Sequence, residues 1–285
     1  MKVLLLVLGI TTALAAPPAK YEEIITDYHG EIGIPLAARI KASEEAMDFD
    51  GSRIVGGDLS QLGQFPYFGG LLVNLIQGGQ SVCGSTLLSS NRAVTAAHCW
   101  KTRTSQGILA TAVFGSTRLF SGGTRVITNN VKVHDNYNVD SRNFDIAMLI
   151  LPTVATSDYI KPIAIASGSG LYVGSTAVAT GFGRTADSQL GQITTAQQLR
   201  HVHLTIITNR ECAQTFGNAF IIDSTLCVSG ANRRSTCTGD GGGPLVLNNQ
   251  LVGITSFEAR AGCERGRPAG FQRVTAFNNW IRARL

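Results

Sequence analysis

The stretch Cys237-Thr238-Gly239-Asp240-Gly241-Gly242-Gly243-Pro244 decides how this chain is read. One carboxylate stands among four glycines, and a proline closes the run. Glycine reaches backbone conformations closed to other residues and loses the most freedom when it is held. Three in succession, Gly241 to Gly243, make a loop that stays loose unless something orders it. After the proline, Pro244–Leu247 and Gln250–Phe257 are short apolar runs separated by turn residues, and they read as strands.

Working outward, the same alternation fills most of the chain. Tyr67–Asn74, Ser81–Leu88, Ala93–Ala97, Thr111–Phe114, Asn129–His134 and Ile146–Leu151 read as one set of strands. Thr176–Thr180, Gln198–Ile207, Thr225–Val228, the two runs after Pro244, and Gly270–Arg273 read as a second. Two groups of about six strands, without strand–helix alternation, predict an all-β chain of two packed six-stranded antiparallel barrels. Residues 152–170, with Pro152 and Pro162, would connect them. From Val274 to Arg284, Val274, Phe277, Trp280 and Ile281 recur at helical spacing and predict a closing C-terminal helix.

The chain has 285 residues. With 44% hydrophobic and 15% charged residues it has the composition of a folded globular chain rather than a disordered one. Met1-Lys2, the apolar run Val3–Ile10 and the small residues through Ala16 read as a secretory signal peptide, 1–15. That run is too short to span a bilayer, so no membrane association is expected. Residues 16–53 carry eight acidic against four basic residues and read as a propeptide, whose middle, Ala37–Ala46, has helical composition. From Ile54 onward there are 19 basic and 11 acidic residues, and 16 of the 19 are arginine. Arginine keeps its charge at pH values where lysine loses it. That bias fits an alkaline medium such as a gut lumen, and base composition would produce it equally. The arginines are scattered and no aromatic platform accompanies them, so nucleic acid is not an expected partner. Six cysteines in an exported chain predict three disulfides, with 15 pairings open. No short C-x-x-C pair occurs, and His201 with His203 makes two ligands rather than a zinc site. Neither metal nor cofactor is expected.

Two further stretches belong with the glycine loop: Thr95-Ala96-Ala97-His98-Cys99 and Asn143-Phe144-Asp145-Ile146-Ala147-Met148-Leu149. At the other end of the propeptide, Arg53 is followed by Ile54-Val55-Gly56-Gly57. Together these resemble the chymotrypsin/trypsin-like serine proteases (peptidase family S1), over residues 54–285, and within them the insect chymotrypsin-like proteins. The resemblance implies the two-barrel trypsin-like fold, with halves of roughly 54–160 and 161–285. It implies the pairs Cys83–Cys99, Cys212–Cys227 and Cys237–Cys263. It makes His98 the general base and Asp145 the residue that orients it, in the His, Asp, nucleophile order of the chymotrypsin triad. The backbone amides of Gly239 and Gly241 would form the oxyanion hole. Cleavage after Arg53 would free an ammonium at Ile54 that pairs with Asp240 and locks the loop.

The departure from the family falls at its centre. Where the family has G-D-S-G-G-P, this chain has Gly241 in place of the nucleophilic serine. Acyl transfer needs a nucleophile activated by the base, and neither Thr238 nor Ser235 would share the turn that presents it. The resemblance places Ser235 at the base of the primary pocket, where a neutral residue implies preference for large apolar side chains. Ser256-Phe257 resembles the pair that adds a strand to bound peptide. Glu258 and Ala269 stand where the family usually has glycine, and Glu258 would put a carboxylate at the pocket mouth. The expected protein is therefore a secreted, extracellular, monomeric serine protease homologue made as a zymogen-like precursor, and an activating trypsin-like protease would cut it. It would lack hydrolysis and would bind peptides, protease inhibitors or a partner protease. The alternative is an active chymotrypsin-like endopeptidase whose serine is altered in this copy.

Overall fold

The computed structural model describes residues 21–46, 57–184, 187 and 198–285. The expected signal peptide, Arg53 and Ile54 lie outside the described residues.

Two sheets, antiparallel but for one short parallel pairing, carry the chain. In order they contain β1 (Asp58–Leu59), β2 (Phe68–Leu75), β3 (Gln80–Ser89), β4 (Arg92–Thr95), β5 (Gly107–Phe114), β6 (Thr124–Thr128), β7 (Val131–Val133) and β8 (Ala147–Ile150). Then follow β9 (Ala164–Ile165), β10 (Thr176–Gly181), β11 (Arg200–Ile207), β12 (Thr225–Val228), β13 (Pro244–Leu247), β14 (Gln250–Phe257) and β15 (Ala269–Arg273). The first sheet runs β6-β5-β2-β3-β4-β8-β7, a curled half-barrel. The second runs β11-β10-β13-β14-β15-β12 and closes where Ile206 and Ile207 of β11 meet Val228 and Cys227 of β12. Closure removes the exposed edges of an open sheet.

β2 and β3 are buried almost throughout, with strand faces built from Leu71, Leu72, Val73, Val82 and Leu87. The closed barrel is filled by Ala177, Ala179, Leu204, Ile206, Leu226, Leu245 and Phe271. At the C-terminus a 3₁₀ turn, Val274–Phe277, leads into a short helix, Asn278–Arg282. Val274, Phe277 and Ile281 are buried as their spacing predicts, while Trp280 is only partly covered. The three disulfides are Cys83–Cys99, Cys212–Cys227 and Cys237–Cys263. The Cys/Asp/His clusters that could suggest a metal site are built on these bonded cysteines. His201 bonds Ser60 through Nδ1 at 3.1 Å and its ring lies 5.9 Å from that of His203, an ordinary strand pair.

The helical stretch expected ahead of Arg53 forms as well. A π-helical turn, His29–Gly33, runs into α1, Ile34–Glu45. Pro35 sits in the first turn, where a missing N–H costs nothing. Leu36, Ala37, Ile40 and Glu44 form one buried stripe. That stripe lies on Phe68, Leu72, Val82, Val113, Leu119 and Phe182 of the main body. At its end the Glu44 carboxylate accepts from the backbone N–H groups of Leu119 (2.6 Å) and Phe120 (3.0 Å) and from Ser121 Oγ (2.8 Å).

Candidate active site

The two sheets meet around His98. A 3₁₀ turn, Ala97–Cys99, follows β4 and is held by the disulfide to β3. His98 Nδ1 lies 2.7 Å from Asp145 Oδ2, and the His98 backbone N–H donates to Asp145 Oδ1 at 2.8 Å. Asp145 stands just before β8, after a turn in which Arg142 and Phe144 have positive φ. From the second sheet, Ser256 Oγ donates to Asp145 Oδ2 at 2.6 Å, and Gln272 Nε2 donates in turn to Ser256 Oγ at 3.2 Å. Both members of the pair are shut off from solvent, His98 at 1% and Asp145 at 0% exposure. Burial pushes the Asp145 carboxyl up, but His98, Arg142 and Ser256 outweigh it and hold the group below its usual range. Burial and then the Arg142 charge push the His98 imidazole down, against the pull of Asp145.

Gly241 comes directly beside this pair: a Cβ built on it would stand 2.5 Å from His98 Nε2. Nε2 itself is buried and makes no hydrogen bond among the described residues. The proton-accepting nitrogen of the pair thus has no hydroxyl to act on. The loop around it is ordered all the same. Gly241 O accepts from Gly84 N–H at 2.8 Å, and Gly242 N–H donates to Thr255 O at 2.8 Å. Gly239 and Gly242, at φ 109° and 81°, use conformations that a side chain would oppose. The Asp240 carboxylate turns inward and accepts from Gly183 N–H (2.7 Å) and Cys237 N–H (2.9 Å). Burial raises its pKa to about 6. Beside it lies a cavity of about 40 Å³, lined by Gly57, Gly181, His201, Ser235, Thr236 and Asp240.

The pocket residues gather around the loop. Ser256 and Phe257 end β14, Ala269 begins β15 and is fully buried, and Ser235 is half-buried. Phe257 packs edge-on against Phe216, ring centres 5.2 Å apart. Glu258 is partly buried, with its Oε1 closed off from solvent. Burial, and then the Asp240 charge, raise its pKa to about 7.

Several residues that shape this site escaped sequence reasoning because they belong to residues 21–46 or contact them. Residues 21–36 run along the cleft. Glu22 N–H donates to Thr215 O at 2.9 Å, and Arg260 N–H donates to Glu23 O at 2.7 Å. Ile24 bridges Ala259 in antiparallel register and packs with Phe216, Ile221 and Phe257. The strand addition expected at Ser256-Phe257 is therefore made by the chain's own segment, just beyond them. Tyr28 then lies over the His98 ring, centroids 4.6 Å apart, and its hydroxyl donates to Val82 O at 2.7 Å. His29 Nδ1 pairs with Ser81 Oγ at 2.8 Å, and Leu36 packs where a Cβ on Gly239 would stand. Glu31 pairs with Arg260 at 2.6 Å and Glu22 with Arg267 at 2.9 Å. Arg142, 2% exposed, donates to Ile25 O at 2.9 Å and stands 3.8 Å from Asp145 Oδ2. The acidic pairs of the propeptide hint at such contacts with a basic body. Nothing in the sequence singles out Tyr28, His29 or Arg142.

The trypsin family model matches residues 54–281. Collagenase of Hypoderma lineatum is 33% identical over 234 residues, covering 80% of this chain and 86% of that protein. Brachyurin of Leptuca pugilator is 34% identical over 232 residues, 80% and 96% of the two chains. Among solved structures, HL collagenase superposes with a TM-score of 0.74 at 32% identity, over 81% of this chain and 98% of that one.

Proposed function

The chain belongs to the trypsin family, and from that premise we propose that it binds through the protease cleft without hydrolysing peptides. One observation carries this reading: His98 Nε2 is buried beside Gly241 with no hydroxyl as partner. In a related triad enzyme, loss of the serine costs about a million-fold in turnover. The His98–Asp145 pair and the ordered glycine loop remain as a binding surface. The fitting ligands are extended peptides, such as the exposed loop of a protease inhibitor or of a partner protease. The chain's own residues 22–28 already lie along that surface.

The protein is secreted, in keeping with its leader and three disulfides, and is made as a latent precursor. Cleavage after Arg53 is the switch. The new Ile54 terminus would lie three residues before Gly57, a reach of about 10 Å, and Gly57 lines the cavity that also holds Asp240. The names of the relatives favour the rival reading, an active endopeptidase. The two separate in one assay. The cleaved protein is expected to turn over no chymotrypsin, trypsin or elastase peptide and to bind a loop-presenting inhibitor by calorimetry. Stoichiometric labelling by a serine-directed phosphonate would falsify the proposal.

A further inference from the structure

Two neighbouring loops of the second sheet carry a rim of arginines. Residues 230–234 follow β12 and residues 260–267 follow β14. They lie against each other, for a Cβ on Gly230 would meet the Arg267 carbonyl oxygen. The Cys237–Cys263 disulfide ties the second loop to the chain just past the first. Arg233, Arg234, Arg260, Arg265 and Arg267 all stand exposed on this rim. The acids of the same corner are held by backbone groups. Asp187 accepts from the N–H groups of Cys263 (2.7 Å) and Glu264 (2.9 Å), and Glu264 accepts from Asp187 N–H at 2.6 Å. Among the described residues, the rim arginines that form ion pairs do so with the 21–46 segment: Arg260 with Glu31 and Arg267 with Glu22. Between those carboxylates the segment adds as a short strand, through Arg260 N–H to Glu23 O and the Ile24–Ala259 bridge. It turns helical from Tyr28 and leaves a cavity of about 480 Å³ against the body, lined by Glu31, Arg39, Arg184, Thr238 and Arg260 among others. One exposed ion pair is worth little. A cluster of like charges beside a strand-pairing edge is worth more, because the charge steers a ligand and the edge fixes its register.

We infer that this rim is a docking surface for an extended acidic peptide of a partner protein. The peptide would take the strand position at Ala259 and Arg260 and lay its carboxylates on the arginines. The inference rests on the cleft being the binding surface, as proposed above, and gives the class of peptide that fits it. In the uncleaved chain the acidic stretch Glu22–Glu31 holds the same place and leaves Arg233, Arg234 and Arg265 unused. A peptide fits better than a sulfated glycan, because the contacts at Ala259 and Arg260 are made to a main chain.

The test uses the full chain cut after Arg53, with both pieces kept. Two labelled peptides, Glu-Glu-Val-Val-Glu-Glu and Gln-Gln-Val-Val-Gln-Gln, are titrated by fluorescence anisotropy at low salt. The freed segment competes with both alike, so the ratio of affinities is preserved. The acidic peptide is expected to bind at least tenfold more tightly, with a preference that shrinks in high salt. Arg260→Gln with Arg267→Gln should reduce the preference. So should the combined Arg233→Gln, Arg234→Gln and Arg265→Gln, which touches no contact of the chain's own segment; both proteins are checked for an unchanged melting temperature. Equal binding of the two peptides overturns the inference. A preference that survives the second set of substitutions also overturns it, since the rim is then only a latch for residues 21–46. A heparin tetrasaccharide that binds more tightly than the acidic peptide assigns the rim to a glycan and overturns it too. A loop-presenting inhibitor separates the inference from the reading beneath it. Inhibitor binding with equal affinity for the two peptides sinks the acidic rim alone, whereas failure of the inhibitor and of both peptides sinks the binding cleft as well.

Discussion

At Gly241 the backbone φ lies outside the left-handed region, so a serine there meets no backbone strain; what it meets is His98 Nε2, 2.5 Å from the built Cβ, and Tyr28 Cε2 at 3.5 Å. The imidazole must give way, and the tyrosine ring packs against it, centroids 4.6 Å apart. Gly241→Ser is therefore expected to stay inert in the uncleaved chain. After cleavage at Arg53 it should become reactive toward a serine-directed phosphonate, and Tyr28→Ala should bring some of that reactivity to the uncleaved chain. Full labelling of uncleaved Gly241→Ser with Tyr28 in place would show that the ring does not guard the base. Glu258 yields a second expectation. Its folded pKa, about 7, is raised from an ordinary 4.5, so the stabilisation from its proton is complete below about 4.5 and is lost as pH rises through 7. The melting temperature of the precursor should accordingly fall relative to that of Glu258→Gln between pH 4.5 and 8, and a gap constant in pH would contradict the burial. His98, Asp145 and Gly241 were legible because motif residues fix them along the chain. The enclosure of Glu258 Oε1 was not, since side-chain direction depends on neighbours distant in sequence.

Strands and helix ends were legible element by element, for they follow period-two apolar alternation and turn residues that act locally. Even the propeptide helix showed in its composition. Its partner did not, because an apolar stripe of Leu36, Ala37 and Ile40 says that something covers it and not what. The trough it fills is assembled from β2, β3, β5 and the chain around Leu119 and Phe182, stretches far apart in sequence. Each of Leu36 and Ile40 is 1% exposed or less, and truncation to alanine is expected to weaken docking by about 2–5 kcal/mol. Faster hydrogen exchange across Ile34–Glu45, with the exchange of β13 and β14 unchanged, is the measurement; unchanged exchange in α1 would count against the docking. His29 makes the same contact sensitive to pH. It is fully buried against Ser81, and burial, then His98 and Arg142, lower its pKa from 6.5 to about 3. A depressed histidine stabilises the docked state above its free pKa of 6.5 and loses that contribution as pH falls toward 3. Acidification from pH 7 to 4 should loosen residues Tyr28–Gly33, and His29→Gln should remove that part of the pH dependence.

Across the whole molecule, the proposed cut after Arg53 would change two things at once. The first cysteine in the chain is Cys83, so no disulfide ties residues 21–46 to the barrels. While the chain is uncut, the segment is held at the millimolar effective concentration that a short tether gives. After a cut at Arg53 it must stay on the cleft by its own affinity. The same cut creates the Ile54 ammonium within reach of Asp240, whose carboxyl sits buried on two backbone N–H groups with its pKa raised to about 6. A cation there would favour the charged form and add an ion pair to a loop that backbone hydrogen bonds already hold. Release of the segment and formation of the Ile54–Asp240 pair are separable by mutation. Cleaved wild type diluted to nanomolar concentration should lose the 21–46 peptide by native mass spectrometry and bind a loop-presenting inhibitor at least tenfold more tightly than the precursor. Cleaved Asp240→Asn should lose the peptide equally well yet gain much less affinity, because removing one partner leaves the Ile54 ammonium buried and unpaired at a cost of about 3–5 kcal/mol. Equal affinities for precursor, cleaved protein and cleaved Asp240→Asn would mean that neither the segment nor the ion pair governs the cleft.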